Sequence, residues 1–498
     1  MTGAYGELET RFSRLNALRE AGAVLHWDMA TLMPSGGAEA RGEQLAALDV
    51  TTHQMLADPK ITELFDRAQS ELPELGAWQR ANLHEMRREW LHATAVPEHL
   101  VEALTRATRR CEMVWREARP ASDFKQVQPH LQEVLDLTRQ MGQAKAEALG
   151  CPLYDALLDQ FEPGASSARI DEVFGELADW LPRVLPEVLE AQRAAPAPQR
   201  PEGPFPQAKQ EQLGRQLMQA VGFDFGGGRL DVSLHPFCGG VPEDLRITTR
   251  YDEADFTSAI MGVLHETGHA LYERGLPADW RRQPVGEARG MALHESQSLL
   301  IEMQACRSRE FIAYMAPIAQ ETFGGSGPAW QPDNLYRLAT QVEPGFIRVD
   351  ADEVTYPAHV ILRTRLERAL LAGDMSLDEL PGAWNDGMEE LLGVRPPEDR
   401  LGCLQDIHWF DGAFGYFPTY TLGALAAAQL FQAAVAAHPE IPEQLERGDF
   451  ATLLGWLRQN VHAQGSSGST DEILQRATGK PLDPSVFQGH IRRRYLGD

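Results

Sequence analysis

The run His265-Glu266-Thr267-Gly268-His269 carries the strongest chemical signal in this sequence. Its flanks, Ile260, Met261, Val263, Leu264, Ala270 and Leu271, are apolar helix formers, so the spacing predicts a helix through the motif. At 3.6 residues per turn, His265 and His269 share one face about 6 Å apart along the axis, where two imidazoles can grip one ion. Glu266 stands roughly 100° further round, too far for the same coordination shell and well placed to touch a metal-bound water. A hydrolytic metal centre needs a third protein ligand and an open position. Glu295, in His294-Glu295-Ser296-Gln297, is a candidate because it follows the motif and opens the helical run Leu299, Leu300, Met303. A polar face on two surface helices is the plainer reading of these residues, but the apolar flanks would then bury unpaired charge at real cost.

The elements that must position these groups are mostly helical. The chain has 498 residues, 43% hydrophobic and 24% charged, an ordinary globular balance that can bury a sizeable core. At ~150 residues per domain, length alone suggests about three domains or one large unit. A net charge of −26 without a concentrated basic face argues against nucleic-acid binding. The five cysteines, Cys111, Cys151, Cys238, Cys306 and Cys403, stand singly, which fits neither a disulfide framework nor a thiolate metal site and suggests a reducing compartment. Met1 through Thr10 lacks the pattern of a signal peptide, and the apolar run Tyr420 to Ala437, interrupted by Gly423, Gln429 and Gln432, reads as a buried helix and not a membrane span. A cytoplasmic protein is expected.

From Glu7 to about Gln192 the pattern is one of successive amphipathic helices. The proline-rich stretch 195–206 separates this N-terminal helical part, 1–206, from the part carrying the metal motif, 207–498. Gly226-Gly227-Gly228 lacks a following Gly-Lys-Ser/Thr, so it reads as a turn into a strand and not as a phosphate loop. Arg229–His235 and Leu245–Tyr251 alternate like strands, and an antiparallel pair is expected. The fold class is therefore mainly α, with a small antiparallel sheet beside the motif helix. Trp27 and Trp409 are expected in the core.

The motifs together resemble the carboxypeptidase Taq family of zinc metallocarboxypeptidases. The resemblance rests on His235-Pro236-Phe237, Asp244-Leu245-Arg246-Ile247-Thr248, the H-E-x-x-H, His294-Glu295-Ser296-Gln297, Ile347-Arg348-Val349-Asp350-Ala351-Asp352, and Gly402-Cys403-Leu404-Gln405-Asp406-Ile407-His408-Trp409, in that order. Leu25-His26-Trp27-Asp28-Met29-Ala30-Thr31-Leu32-Met33-Pro34 is similar to the family's opening signature, so the likeness spans nearly the whole chain. It implies one helical peptidase unit with a deep groove, usually a cytoplasmic homodimer, that removes C-terminal residues from peptides with broad specificity. It also implies that His265, His269 and Glu295 bind the metal and that Glu266 is the general base. One zinc ion per chain is expected, with cobalt or manganese able to substitute.

An enzyme acting at a free C-terminus must neutralise a carboxylate, and arginine matches that group best. Arg348 is the chosen residue, the alternative being a helix cap or a structural pair with Asp350 or Asp352. Arg246 reads more readily as a partner of Asp244 or a pin on the sheet edge. The strand carrying Arg246, Thr248 and Thr249 could offer an edge along which a peptide lies. His408, Tyr416, Tyr420 and His235 are candidates to stabilise the tetrahedral intermediate, and Glu273 and Glu302 to orient the metal histidines. A zinc oligopeptidase of the same architecture, or a silent zinc-binding scaffold, are the alternatives.

Overall fold

Apolar residues at helical spacing dominate the sequence, and the computed structural model, which describes residues 3–497, folds them into twenty α-helices with one three-stranded sheet packed at the side of the motif helix. In the first helix, Ala4–Thr31, the stripe Tyr5, Leu8, Phe12 and Leu15 buries against Ile61, Leu64, Phe65 and Met86 to form a small N-terminal core. A second, much larger core runs from Ala107 to Ile491. Helices Phe124–Leu149 and Ser167–Ala194 contribute Leu131, Val134, Phe174 and Leu177 to this same core as the motif helix, so the division at residue 206 is not a break in packing. The proline-rich stretch is the irregular connection between Ala194 and Gln207.

The sheet corrects the expected topology. Strands β1 (Gly228–Val232), β2 (Phe237–Val241) and β3 (Asp244–Thr249) lie in the order β1-β3-β2, with β1 parallel and β2 antiparallel to β3. The sheet is therefore mixed, and the antiparallel partner of β3 is β2. That strand reads Phe-Cys-Gly-Gly-Val, where two glycines erase the alternation that reveals a strand. β3 is the central strand, with both edges taken, and cannot offer a peptide an edge. Its inward residues Leu245 and Ile247 pack on Val263 and Ala270 of the motif helix.

That helix, Phe256–Gly275, starts where the Asp255 side chain accepts from the Thr257 N–H at 2.9 Å, an N-cap that satisfies one orphan donor. It crosses a second helix, Met291–Leu299, at backbone contact. A Cβ added at Gly268 would lie 2.5 Å from the Gln297 carbonyl oxygen and 2.6 Å from Ser298 Cα, so only glycine permits the crossing. A third helix, Pro418–Ala437, presses on the opposite side, where a Cβ on Gly423 would stand 2.9 Å from Glu295 Cβ. Among the described residues this is the one helix long and apolar enough to span a bilayer, and its small residues here face Glu295.

The crossing predicts a sharp contrast between two glycines of one helix. Gly268→Ala must push the helices apart, costing ~1–3 kcal/mol as overpacking does, and should weaken metal binding with it. Gly262→Ala, which meets nothing within 4 Å, should leave the melting temperature unchanged or raise it. Thermal unfolding and zinc titration of both variants check this, and equal responses would contradict the close crossing.

Candidate active site

The crossing brings one nitrogen of each motif histidine to a single carboxylate oxygen. Glu295 Oε2 stands 3.6 Å from His265 Nε2 and 3.4 Å from His269 Nε2, and all three ligand atoms lie within 4.8 Å of one another. Atoms placed tetrahedrally ~2.0–2.2 Å from an ion stand ~3.3–3.6 Å apart, so the trio fits a zinc-sized cation. Two imidazoles and a carboxylate are also a donor set that such ions accept.

Each histidine is oriented from behind. His265 Nδ1 meets Glu302 Oε2 at 2.9 Å, while the other oxygen of Glu302 accepts from Arg307 at 2.7 Å. His269 Nδ1 meets the backbone carbonyl of His294 at 3.1 Å. Glu302 lies on a π-helical stretch, Leu300–Cys306, that continues the helix bearing Glu295, and it meets the Nδ1 face of His265 while Glu295 meets the Nε2 face. Glu273, the other expected orienting carboxylate, binds His294 Nε2 instead, at 2.9 Å. The His294 ring in turn stacks on His269, with centroids 4.5 Å apart.

The electrostatics prepare these groups for a cation. Burial would raise the Glu295 carboxyl, but His265 and His269 outweigh it and hold it at about 2. Burial pulls His265 down, yet Glu295, Glu302 and Glu266 push it up to about 10, while burial and the neighbouring His294 take His269 down to about 4. Glu266 is buried, and that burial, helped by Glu295 and Glu302, raises it to about 7 against the pull of His265 and His294. No group among the described residues hydrogen-bonds its carboxylate, which leaves both oxygens for a water.

A cavity of about 960 Å³ opens beside the trio, lined by His265 and Glu295 and also by Arg348, Tyr356 and Tyr420. Arg348 is buried and paired, though with Asp406 and neither Asp350 nor Asp352: its Nε and Nη2 donate to Asp406 Oδ1 at 3.0 and 2.9 Å. Nη1 points to the Tyr356 hydroxyl at 3.3 Å. Arg363, fully buried, holds the other oxygen of Asp406 at 2.6 Å. Two guanidiniums thus share one carboxylate, leaving one positive charge over. The pairing between Arg348 and Asp406 could not be read from sequence, because 58 positions separate the two.

The remaining expected residues divide. Tyr420 lines the cavity, its ring 4.7 Å from the Arg348 guanidinium, and its hydroxyl meets His408 Nε2 at 3.3 Å. His408 sits behind Tyr420, and burial takes it down to about 4, so it is neutral. Tyr416 packs edge-on to Phe161 and feels the Glu295 charge. His235 is exposed beside Pro236, which lines the cavity rim. Arg246 pairs with Asp244 at 2.6 Å and lies 4.2 Å over the ring of buried Trp27. Thr248 is placed away from substrate: it is fully buried, and its hydroxyl is used by Ser233 at 2.7 Å and the Phe237 N–H at 3.0 Å. Gly268 and Gly423, which set the helix spacing, escaped the sequence reading, although a glycine inside an H-E-x-x-H helix is a signal of close approach.

A helical chain that crosses two helices to join a His/His/Glu trio, with a free glutamate on the motif helix, defines a metallopeptidase. The comparisons agree. Residues 7–495 match the family described as carboxypeptidase Taq (M32) metallopeptidase. Thermostable carboxypeptidase 1 of Thermus thermophilus is 38% identical over 488 residues, spanning 96% of this chain and 95% of that one. Carboxypeptidase 1 of Bacillus subtilis is 33% identical over 489 residues, 97% and 96% of the two chains. Among solved structures, metallocarboxypeptidase 1 of Trypanosoma cruzi superposes with a TM-score of 0.97 at 43% identity, covering 99% of each chain. The chain belongs to the carboxypeptidase Taq family, and it is a metallocarboxypeptidase, a peptide hydrolase.

The charge states predict how a metal binds. At pH 8 only His265 carries a proton that the ion must displace, since Glu295 is ionised and His269 neutral. Affinity should therefore rise about tenfold per pH unit up to about 10, with about one proton released per ion. Calorimetry of zinc binding in buffers of different ionisation enthalpy measures this release, and a value near zero would contradict a protonated His265.

Proposed function

We propose that the enzyme is a zinc-dependent carboxypeptidase that releases single C-terminal residues from peptides with broad specificity. The observation that carries this is the shared cavity: Arg348, with the uncompensated charge of its Arg363–Asp406 group, faces the same space as His265 and Glu295. A free terminal carboxylate supplies the charge that this group lacks. The remaining Nη1 edge of Arg348, with Tyr356 beside it, is the donor surface for that carboxylate, because Nε and Nη2 are already engaged.

His265, His269 and Glu295 would hold the ion, and the donor set favours zinc over the earlier divalent ions, with cobalt or manganese as substitutes. When bound, the ion would supply a Lewis acid that lowers the pKa of water from ~16 toward ~7 and polarises the scissile carbonyl. Glu266 takes the proton of the attacking water and passes it to the leaving amine, a task suited to a carboxylate raised to about 7. Glu302 and the His294 carbonyl hold the two imidazoles in register. Tyr420, which lines the same cavity as His265 and Glu295 with Tyr416 and the neutral His408 behind it, would donate to the developing oxyanion. The family resemblance also supports a homodimer, which light scattering at micromolar concentration tests: a monomer mass alone would contradict it.

Glu266→Gln should keep the metal and the fold and lose ~10²–10⁴-fold in kcat, whereas His269→Ala or Glu295→Ala should lose metal. Turnover above about a tenth of wild type in Glu266→Gln would remove it as general base.

Acid and amide substrates decide between carboxypeptidase and oligopeptidase. Arg348→Ala leaves Asp406 paired with Arg363, so the fold should survive, but losing one partner of a desolvated charge pair costs ~2–5 kcal/mol. Cleavage of free-acid peptides should fall roughly 30- to several-thousand-fold in kcat/KM. The wild type should barely cut the matching C-terminal amides, and the variant should discriminate far less. Equal wild-type rates on acid and amide would favour the oligopeptidase reading.

A further inference from the structure

A second cavity, of about 530 Å³, lies further along the motif helix, about two turns beyond the first. Met261 and His265 line the first, whereas Glu273 and Leu276 line the second, so the metal-bearing turn lies between them. Glu273 follows Glu266 by two turns, ~10 Å along the axis on nearly the same face. His294, stacked on His269, forms part of the same wall. With the substrate's C-terminal residue held at Arg348, the chain N-terminal to the scissile bond would run past the metal-bearing turn toward this second cavity.

The cavity's carboxylates are nearly all spoken for. Glu89 takes Arg19 at 2.8 Å, Glu85 takes Arg289 at 2.7 Å, Glu20 takes Arg282 at 3.3 Å and Glu273 takes His294 at 2.9 Å. Arg281 is committed to Glu243 at 2.9 Å. Glu287 differs: it is half-buried, and no donor or cation among the described residues lies within bonding distance of its carboxylate. Its backbone is anchored, since Ser466 donates to its carbonyl at 3.1 Å and its own N–H donates to the Pro284 carbonyl at 3.2 Å, and the residue lines the cavity wall. Burial and the charge of Glu89 push it up to about 8 against the weaker pull of Arg19 and Arg88, both held by other carboxylates, and a bound cation would draw it back down.

We propose that the second cavity receives the residues N-terminal to the scissile bond and that Glu287 there binds a cationic nitrogen of the peptide. The cation is the free α-ammonium of a short peptide or a basic side chain of a longer one. The ~10 Å from Glu266 to Glu273, where the motif helix meets the second cavity, spans about three residues of extended chain at ~3.3–3.6 Å each, so a chain entering there brings its third or fourth residue before the bond into the space that Glu287 lines. The inference rests on the orientation that Arg348 sets in the proposed function, and the test separates the two.

Two matched substrate sets are used with the zinc-loaded enzyme. In the first, short free-acid peptides with three or four residues before the bond carry either a free or an acetylated amino terminus. In the second, acetylated octapeptides carry lysine or glutamine at the third or fourth residue before the bond. The wild type should favour the cationic member of at least one set by ~10-fold in kcat/KM, equal to ~1.4 kcal/mol, mainly through KM, and salt should shrink the preference. The set that responds identifies the source of the cation. In Glu287→Gln the ratio should fall to within about twofold of one, and Glu287→Asp, which keeps the charge, should retain part of it. A wild-type ratio near one in both sets, or a ratio undiminished in Glu287→Gln, overturns the assignment. Should Glu287→Gln fail to fold, the wild-type ratio and its salt dependence decide. An acid-over-amide preference that survives while the cation preference is absent sinks this inference alone. Loss of the acid preference in the wild type sinks the orientation beneath it.

Discussion

The site depends on one steric fact, the backbone contact between the motif helix and the helix that follows it. Without a side chain at Gly268, the Gln297 carbonyl and Ser298 Cα come within reach of where a Cβ would stand, and Glu295 arrives beside the two Nε2 atoms. Gly423 lets a third helix close the gap behind Glu295. Interiors pack too densely to absorb even a methyl group at such a crossing. The same approach delivers the groups that steer the histidines, because the His294 carbonyl and Glu302 ride on the crossing helix and its π-helical continuation. π-helical turns are frequent at functional sites, and this one carries the carboxylate that reaches His265 from the side opposite Glu295.

Charge is distributed with equal economy. The metal trio and its surroundings are rich in carboxylate, Arg348 and Arg363 leave one positive charge over at the other wall of the large cavity, and Glu287 is an unpaired carboxylate in the smaller one. A peptide is itself polar along its length, negative at the C-terminus and positive at the N-terminus. The two cavities on either side of the metal-bearing turn therefore match the two ends of a short substrate. On the proposed reading that polarity would set direction as well as affinity, since a reversed chain would meet like charge at both ends.

What could be read from the sequence follows from how local the interaction is. His265, Glu266 and His269 declare themselves because four-residue spacing fixes their geometry on one helix, and Glu295 is close enough in the chain to be picked by its place at the head of the next. The carboxylate of Glu302 was legible as a candidate, but its twin Glu273 was not separable from it, since both are glutamates near a histidine and only tertiary packing gives one to His265 and the other to His294. Arg348 was singled out by its motif, yet its partner Asp406 lies 58 positions away, where no periodicity connects them. β2 went unseen because its glycines carry no alternation, and with it went the central position of β3 and the buried role of Thr248. Glu287 lies in no motif at all; its meaning comes from having no hydrogen-bond or ion-pair partner among the described residues, which only three dimensions disclose.

The central claim is that metal ligands and carboxylate-binding arginine face one peptide in one direction. A crystal structure of zinc-loaded Glu266→Gln with an uncleaved free-acid peptide tests it most directly. The account predicts the ion on His265, His269 and Glu295, the terminal carboxylate against Arg348, and the amino-terminal residues directed toward Glu287. An ion held by other residues, or a terminal carboxylate lying away from Arg348, would contradict it.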